Sequence, residues 1–123
     1  MVQELREFQA AYGEHKELLD ACGLPFLTEI APSAMKAWYK ESQARRESGV
    51  FDDKTRELIW LAGCLVARCE PAVAVHMFRA LKAGATKEEI VETMLLSSLV
   101  GSHTMLIDAL GTVEATLKKL KIK

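Results

Sequence analysis

The sequence predicts an all-α protein, a bundle of about six helices whose copies associate into a homo-oligomer. Three observations carry this expectation. Apolar residues recur at helical spacing along nearly the whole chain. Gly23, Pro25, Pro32, Gly49, Pro71, Gly84 and Gly101 fall between those stretches and divide them. No run of alternating apolar and polar residues marks a strand, and no repeat or low-complexity segment interrupts the pattern.

The elements follow in order. Residues 2 to 21 carry Leu5, Phe8, Tyr12, Leu18 and Leu19 among charges, the pattern of one amphipathic helix that Gly23 and Pro25 break. Pro32 and Ser33 open a second helix through Met35, Trp38 and Tyr39, ending near Ser48 and Gly49. Asp52 suits the N-cap of a third helix over 53–69. Glu70-Pro71 ends it, because proline cannot continue the backbone ladder and restricts its predecessor. Pro71 suits the first position of a fourth helix and Gly84 its C-terminal stop. Thr86-Lys87-Glu88-Glu89 reads as a capping box for a fifth helix through Ile90, Met94 and Leu99. Residues 101–104 mark a break, and Leu106, Leu110, Val113, Leu117 and Leu120 give the last helix its period.

Composition narrows the class. A chain of 123 residues, half of them apolar, is expected to form one domain over 1–123 with a core that needs neither disulfide nor metal. The formal charge of −1 argues against nucleic acid as a partner, since phosphate binding calls for a basic excess. The lysines at 118, 119, 121 and 123 fit a helix C-terminus, where cations oppose the macrodipole. The longest apolar run, Leu58 to Ala67, falls well short of the roughly 20 residues of a membrane span, so no membrane association is expected. The N-terminus has no apolar core of signal-peptide type, and the three cysteines are an odd number. A cytoplasmic protein is expected on these grounds.

Two stretches, 58–67 and 94–100, are apolar nearly all round, with only Ser97 and Ser98 as polar relief in the second. Such helices are buried on every side, which a chain this short struggles to do alone. Neighbouring copies are therefore expected to cover them.

The chemistry concentrates between Glu57 and His76, in the pattern E-x11-C-x2-A-x3-H. Cys69 precedes a helix N-terminus, where unpaired amides and the dipole favour an anion. Each residue also has an ordinary structural role: Cys69 as a small buried apolar group like Cys22 and Cys64, His76 as a core histidine, and Glu57 as an acid in a first turn. At about 1.5 Å per residue, Glu57 and Cys69 stand about 18 Å apart on a straight helix and do not touch. A returning His76 is expected to close only part of that gap, leaving any relay to water, a kink at Gly63 or a neighbouring subunit. Cys64 is expected to point elsewhere around the helix axis from Cys69, so it is a poor partner unless the helix end unwinds. The spacing of His15, His76 and His103 offers no metal site, and no metal or cofactor is expected.

The segment DDKTRELIWLAGCLVARCEPAVAVH, the following RALKAGATKEEIVETM and the lead-in PSAMKAWYKESQARRESGVFDDKTRELI together resemble the family of carboxymuconolactone decarboxylases and alkylhydroperoxidase D proteins. The resemblance covers roughly residues 32–116 and leaves 1–31 as a variable helical extension. It implies the family's helical fold and a trimer or hexamer.

In the peroxidase branch the pattern is E-x11-C-x2-C-x3-H, with Glu and His in a proton relay and two thiols cycling through a disulfide. Glu57, Cys69 and His76 fill three of these places, and Ala72 stands where the peroxide-attacking cysteine belongs. The C-x-x-C mechanism is therefore not expected. A single-thiol peroxidase through Cys69 stays open and would need an outside thiol to resolve the sulfenic acid.

The decarboxylase branch works on a carboxylated lactone without a cysteine pair, and its histidine aligns with His76. An imidazole suits proton transfer beside a carbanion-like centre. Arg68 and the helix N-terminus at Pro71 are candidates to hold the substrate carboxylate, and His103 falls where family members shape the pocket. The leading expectation is acid-base chemistry on a small carboxylated molecule, with Glu57 and His76 as the proton-transfer pair and Cys69 assisting. The alternatives are the thiol peroxidase and a non-catalytic helical binding protein.

Overall fold

A computed structural model describes residues 3–47 and 49–123. Among them the chain forms eight α-helices and one 3-10 turn, with no strand, in agreement with the all-α expectation. It divides into two compact units, residues 1–50 and 51–123.

The first unit holds α1 (Gln3–Tyr12), the 3-10 turn (Gly13–His15), α2 (Glu17–Ala21), α3 (Leu24–Ile30) and α4 (Pro32–Glu47). The single helix expected over residues 2–21 is thus broken. Gly13 takes a φ of +53°, a left-handed conformation that a helix interior does not hold. Pro25 does not end structure. It lies in the first turn of the unexpected α3, where its missing N–H costs nothing. Leu18, Leu19, Leu24 and Met35 are buried here. The side chains of Leu5, Phe8 and Tyr12, expected on an apolar face, lie outside the described residues, as do Val2 and Ser48.

The second unit holds α5 (Asp53–Val66), α6 (Glu70–Lys82), α7 (Lys87–Gly101) and α8 (His103–Lys119). Asp52 caps α5 by accepting from the Thr55 amide at 2.7 Å. The capping box of α7 is complete: Thr86 Oγ1 accepts from the Glu89 amide and Glu89 accepts from the Thr86 amide, each at 3.1 Å. The other Glu89 oxygen accepts from Lys54 at 3.1 Å, which ties the starts of α5 and α7 together. Leu61, Leu65, Val73, Met77, Ile90, Met94, Met105 and Val113 form the core between the four helices.

The connections decide where the site residues go. Helix α5 ends at Val66, three residues before the expected Cys69, and it runs unbroken through Gly63. Arg68 then adopts φ +59° and the chain reverses. Helix α6 stops as expected at Gly84, whose φ of +102° suits the left-handed cap. The break between α7 and α8 narrows to Ser102, at φ +87° and ψ 165°.

One chain does not bury the two apolar helices. On α5, Ile59 and Val66 stay exposed, and on α7 so do Leu95, Leu96, Leu99 and Val100, the last two at 82%. An open groove of about 720 Å³ runs between them, lined in part by Leu58, Ile59, Ala62, Val66, Leu96 and Val100.

Candidate functional site

Helix α6 folds back along α5, and that reversal sets the site. Glu57 lies nine residues before the end of α5, and His76 lies six residues after the start of α6. Their heights along the paired helices therefore differ by only about 4.5 Å, a gap the side chains span. Glu57 Oε2 and His76 Nδ1 are 2.8 Å apart, and the residues are 5% and 7% exposed. The expectation that His76 reaches only part of the way is corrected: the contact is direct, and α5 is unbroken through Gly63.

Two residues that sequence reasoning missed complete the cluster. Arg79 Nε donates to Glu57 Oε1 at 3.2 Å, so both carboxylate oxygens are engaged. The Trp60 indole stacks on the His76 ring, with centroids 4.6 Å apart and planes 22° from parallel. A signal for both was present in the chain. Trp60 is i+3 from Glu57 and Arg79 is i+3 from His76, so each shares a helix face with its neighbour.

The electrostatics follow from this geometry. A buried carboxylate survives when it is paired and hydrogen-bonded. Arg79 supplies the charge and the imidazole supplies a second donor. A carboxylate only accepts, so Nδ1 carries the ring hydrogen of the neutral imidazole. The proton-accepting nitrogen is then Nε2. Trp60 fixes the ring plane from the side. The result is an oriented, neutralised Glu-His pair of the kind that moves a proton.

The remaining expected residues stand elsewhere. Cys69 occupies the N-cap position of α6, exposed, with no side-chain cap hydrogen bond. It lies seven residues before His76, about 10 Å along the helix, so the imidazole does not serve as its base. Arg68 pairs with Asp108 at 3.2 Å and reaches Ser102 Oγ at 3.5 Å. It borders a cavity of about 170 Å³ together with Glu70, Asp108 and Met105, so its charge there is answered by acids. His103 is exposed at the first position of α8, and among the described residues no contact joins it to the pair. The described residues contain no group of three or more His, Cys, Asp or Glu placed to hold a metal ion. No described helix is long and apolar enough to cross a membrane.

Comparison with known proteins agrees with this architecture. A carboxymuconolactone decarboxylase family protein of Thermotoga maritima, for which a role in antioxidative response has been suggested, superimposes with a TM-score of 0.71 at 25% identity, over 85% of this chain and 90% of that one. A Legionella pneumophila protein of the same family, solved in its apo form, matches with a TM-score of 0.71 at 25% identity, over 83% of this chain and 96% of the other. In sequence, an uncharacterized 15.0 kDa protein from the nqo9-nqo10 intergenic region of Paracoccus denitrificans is 31% identical over 117 residues, 94% of this chain and 86% of that protein. The family model of the carboxymuconolactone decarboxylases matches residues 32–114, from the start of α4 into the last turns of α8, and the chain belongs to that family.

Proposed function

We propose that this protein is a small proton-transfer enzyme acting as a decarboxylating lyase on a carboxylated lactone or a molecule of similar chemistry. The observation that carries the proposal is the buried Glu57–His76 contact, with Arg79 on the second carboxylate oxygen. In the reaction the bond between ring carbon and carboxylate breaks and carbon dioxide leaves. The electron pair passes into the conjugated carbonyl. A proton from Nε2 of protonated His76 goes to the carbon, and Glu57 stabilises the imidazolium before that transfer. The enzyme works in the cytoplasm, where the thiol pool returns its cysteines to the reduced form.

The test is release of carbon dioxide from carboxylated lactones by the purified chain, compared with His76→Ala. General acid-base catalysis is worth about 10²–10⁴ in rate, and a loss of that size is expected. Equal turnover by the variant, or no release from any such lactone, overturns the proposal.

The active form is a homo-oligomer, a trimer or hexamer. What supports this is a ridge and a groove on one face. The exposed Leu95 and Leu99 stand beside the roughly 720 Å³ groove lined by Ile59, Ala62, Val66, Leu96 and Val100, an apolar surface that further copies would cover. Light scattering at micromolar concentration should give a multiple of the chain mass, and Leu99→Glu should reduce it. A wild-type monomer refutes the oligomer.

A second activity is favoured by the suggested antioxidative role of the Thermotoga relative. It is peroxide reduction through Cys69, the exposed thiol of the second unit.

A further inference from the structure

The reversal after α5 brings two thiols to one place. Arg68 N donates to Leu65 O at 3.1 Å, and Cys69 N donates to Cys64 O at 3.1 Å. With Arg68 at φ +59°, these two bonds make a Schellman motif. In that motif the residues joined by the longer bond come close in space, and a contact between their side chains frequently accompanies it. Here they are Cys64 and Cys69. A 3.1 Å hydrogen bond and standard covalent geometry hold their Cα atoms within about 7 Å, less wherever the bonds are not collinear. Disulfides span about 4.4–6.8 Å between Cα atoms. The expectation that Cys64 points away from Cys69 holds only if the helix continues to residue 69. It ends at Val66, and the turn brings the backbone of Cys69 within a hydrogen bond of Cys64.

The two thiols are unequal. Cys69 is exposed, whereas Cys64 is 9% exposed and belongs to the core cluster. The exposed sulfur meets an oxidant first, and the shielded one meets its neighbour.

We propose that Cys64 and Cys69 form a reversible dithiol-disulfide couple, oxidised by a hydroperoxide at Cys69 and reduced by an external thiol. This deepens the peroxide-reducing activity and is independent of proton transfer at His76. The Cys69 thiolate attacks the terminal peroxide oxygen, the O–O bond breaks, and the alcohol or water leaves with a proton. Cys69 becomes a sulfenic acid. The Cys64 sulfur attacks the Cys69 sulfur, the S–O bond breaks and water leaves, giving the disulfide. Two equivalents of an external thiol return both cysteines to thiols and become the oxidised product. The Ala72 position then needs no sulfur, because the second thiol comes from the helix before the turn.

Trypsin provides a direct readout, because Arg68 lies between the two cysteines. The experiment uses the full chain carrying Cys22→Ser, treated with one equivalent of hydrogen peroxide, digested without reductant and read by mass spectrometry. The expected result is a linked pair of peptides 57–68 and 69–79, with a mass loss of about 2 Da, reversed by dithiothreitol. In Cys64→Ala, and in Cys64→Ser as a second variant of similar volume, dimedone should trap Cys69 as a sulfenic acid. Peroxide turnover with dithiothreitol should fall at least about tenfold, since a bimolecular thiol replaces an intramolecular one. Oxidation of Cys69 without the 64–69 link overturns the couple and leaves a single-thiol peroxidase. Absence of any oxidation at Cys69 overturns both.

Discussion

Replacing Glu57 with alanine removes the acceptor that His76 and Arg79 share. The carboxylate receives Nδ1 at 2.8 Å and Nε at 3.2 Å, and its side chain is 6% exposed. Removing one partner of a buried ion pair typically costs about 3–5 kcal/mol, because the other charge is left without compensation. Two features reduce that figure here. The Arg79 side chain is 22% exposed and can recruit water, and His76 can remain neutral. A loss of about 2–3 kcal/mol follows, and for a chain of this size that lowers the melting temperature by roughly 10 °C. Glu57→Gln keeps the volume and one acceptor, so it should lose about half as much. The assay is thermal unfolding by circular dichroism at one fixed protein concentration, because association shifts the midpoint. A second readout is ¹⁵N chemical shifts of the imidazole, which should place the neutral-ring hydrogen on Nδ1 in the wild type and on Nε2 in the Gln variant, whose amide can donate. A Glu57→Ala protein that melts within about 2 °C of wild type would refute the shared-acceptor account.

Ser102→Gly should stabilise the protein. Its φ of +87° with ψ of 165° lies in a region that glycine alone occupies freely, a strain of about 1–3 kcal/mol. Glycine's extra freedom when unfolded offsets part of the relief, so a gain of about 1 kcal/mol and a rise of a few degrees in melting temperature is expected; an unchanged or lower value would show that the loop is unstrained. Asp52 and Glu89 give the helix starts an acid sensitivity. The Thr55 amide lowers the carboxyl pKa of Asp52, and the Thr86 amide followed by Lys54 lowers that of Glu89. A carboxyl lowered in the folded state stabilises above its unfolded value and loses that contribution as pH falls through the folded one. Acid titration followed by circular dichroism should therefore show the wild type losing stability more steeply below the ordinary carboxylate range than Asp52→Asn or Glu89→Gln does, and parallel curves would contradict it.

Local chemistry made much of this protein legible in its sequence. The caps at Asp52 and Thr86, the proline opening α6 and the stop at Gly84 depend on a few neighbouring residues, and each lies where its residue type requires. The apolar character of α5 and α7 is equally plain, because it is a property of the letters. The misplaced features were tertiary in origin. Nothing local gives Arg68 a left-handed conformation that glycine normally supplies, so the letters alone extend α5 to Cys69. That one residue marks where the helix stops, where the Cys69 amide turns back to the Cys64 carbonyl and α6 begins its return.

The sequence by itself determined the helical class, the family pattern and the residue types available for chemistry, because these are fixed by composition and short-range spacing. Only the tertiary structure decided which of them meet. Glu57 and His76 are nineteen residues apart in sequence and 2.8 Å apart in space, while Cys69, nearer His76 along the chain, stands a helix's rise away. The physical reason is that an antiparallel helix pair joins residues at equal height on either side of its turn, and neighbours along one helix are separated by 1.5 Å for every residue between them.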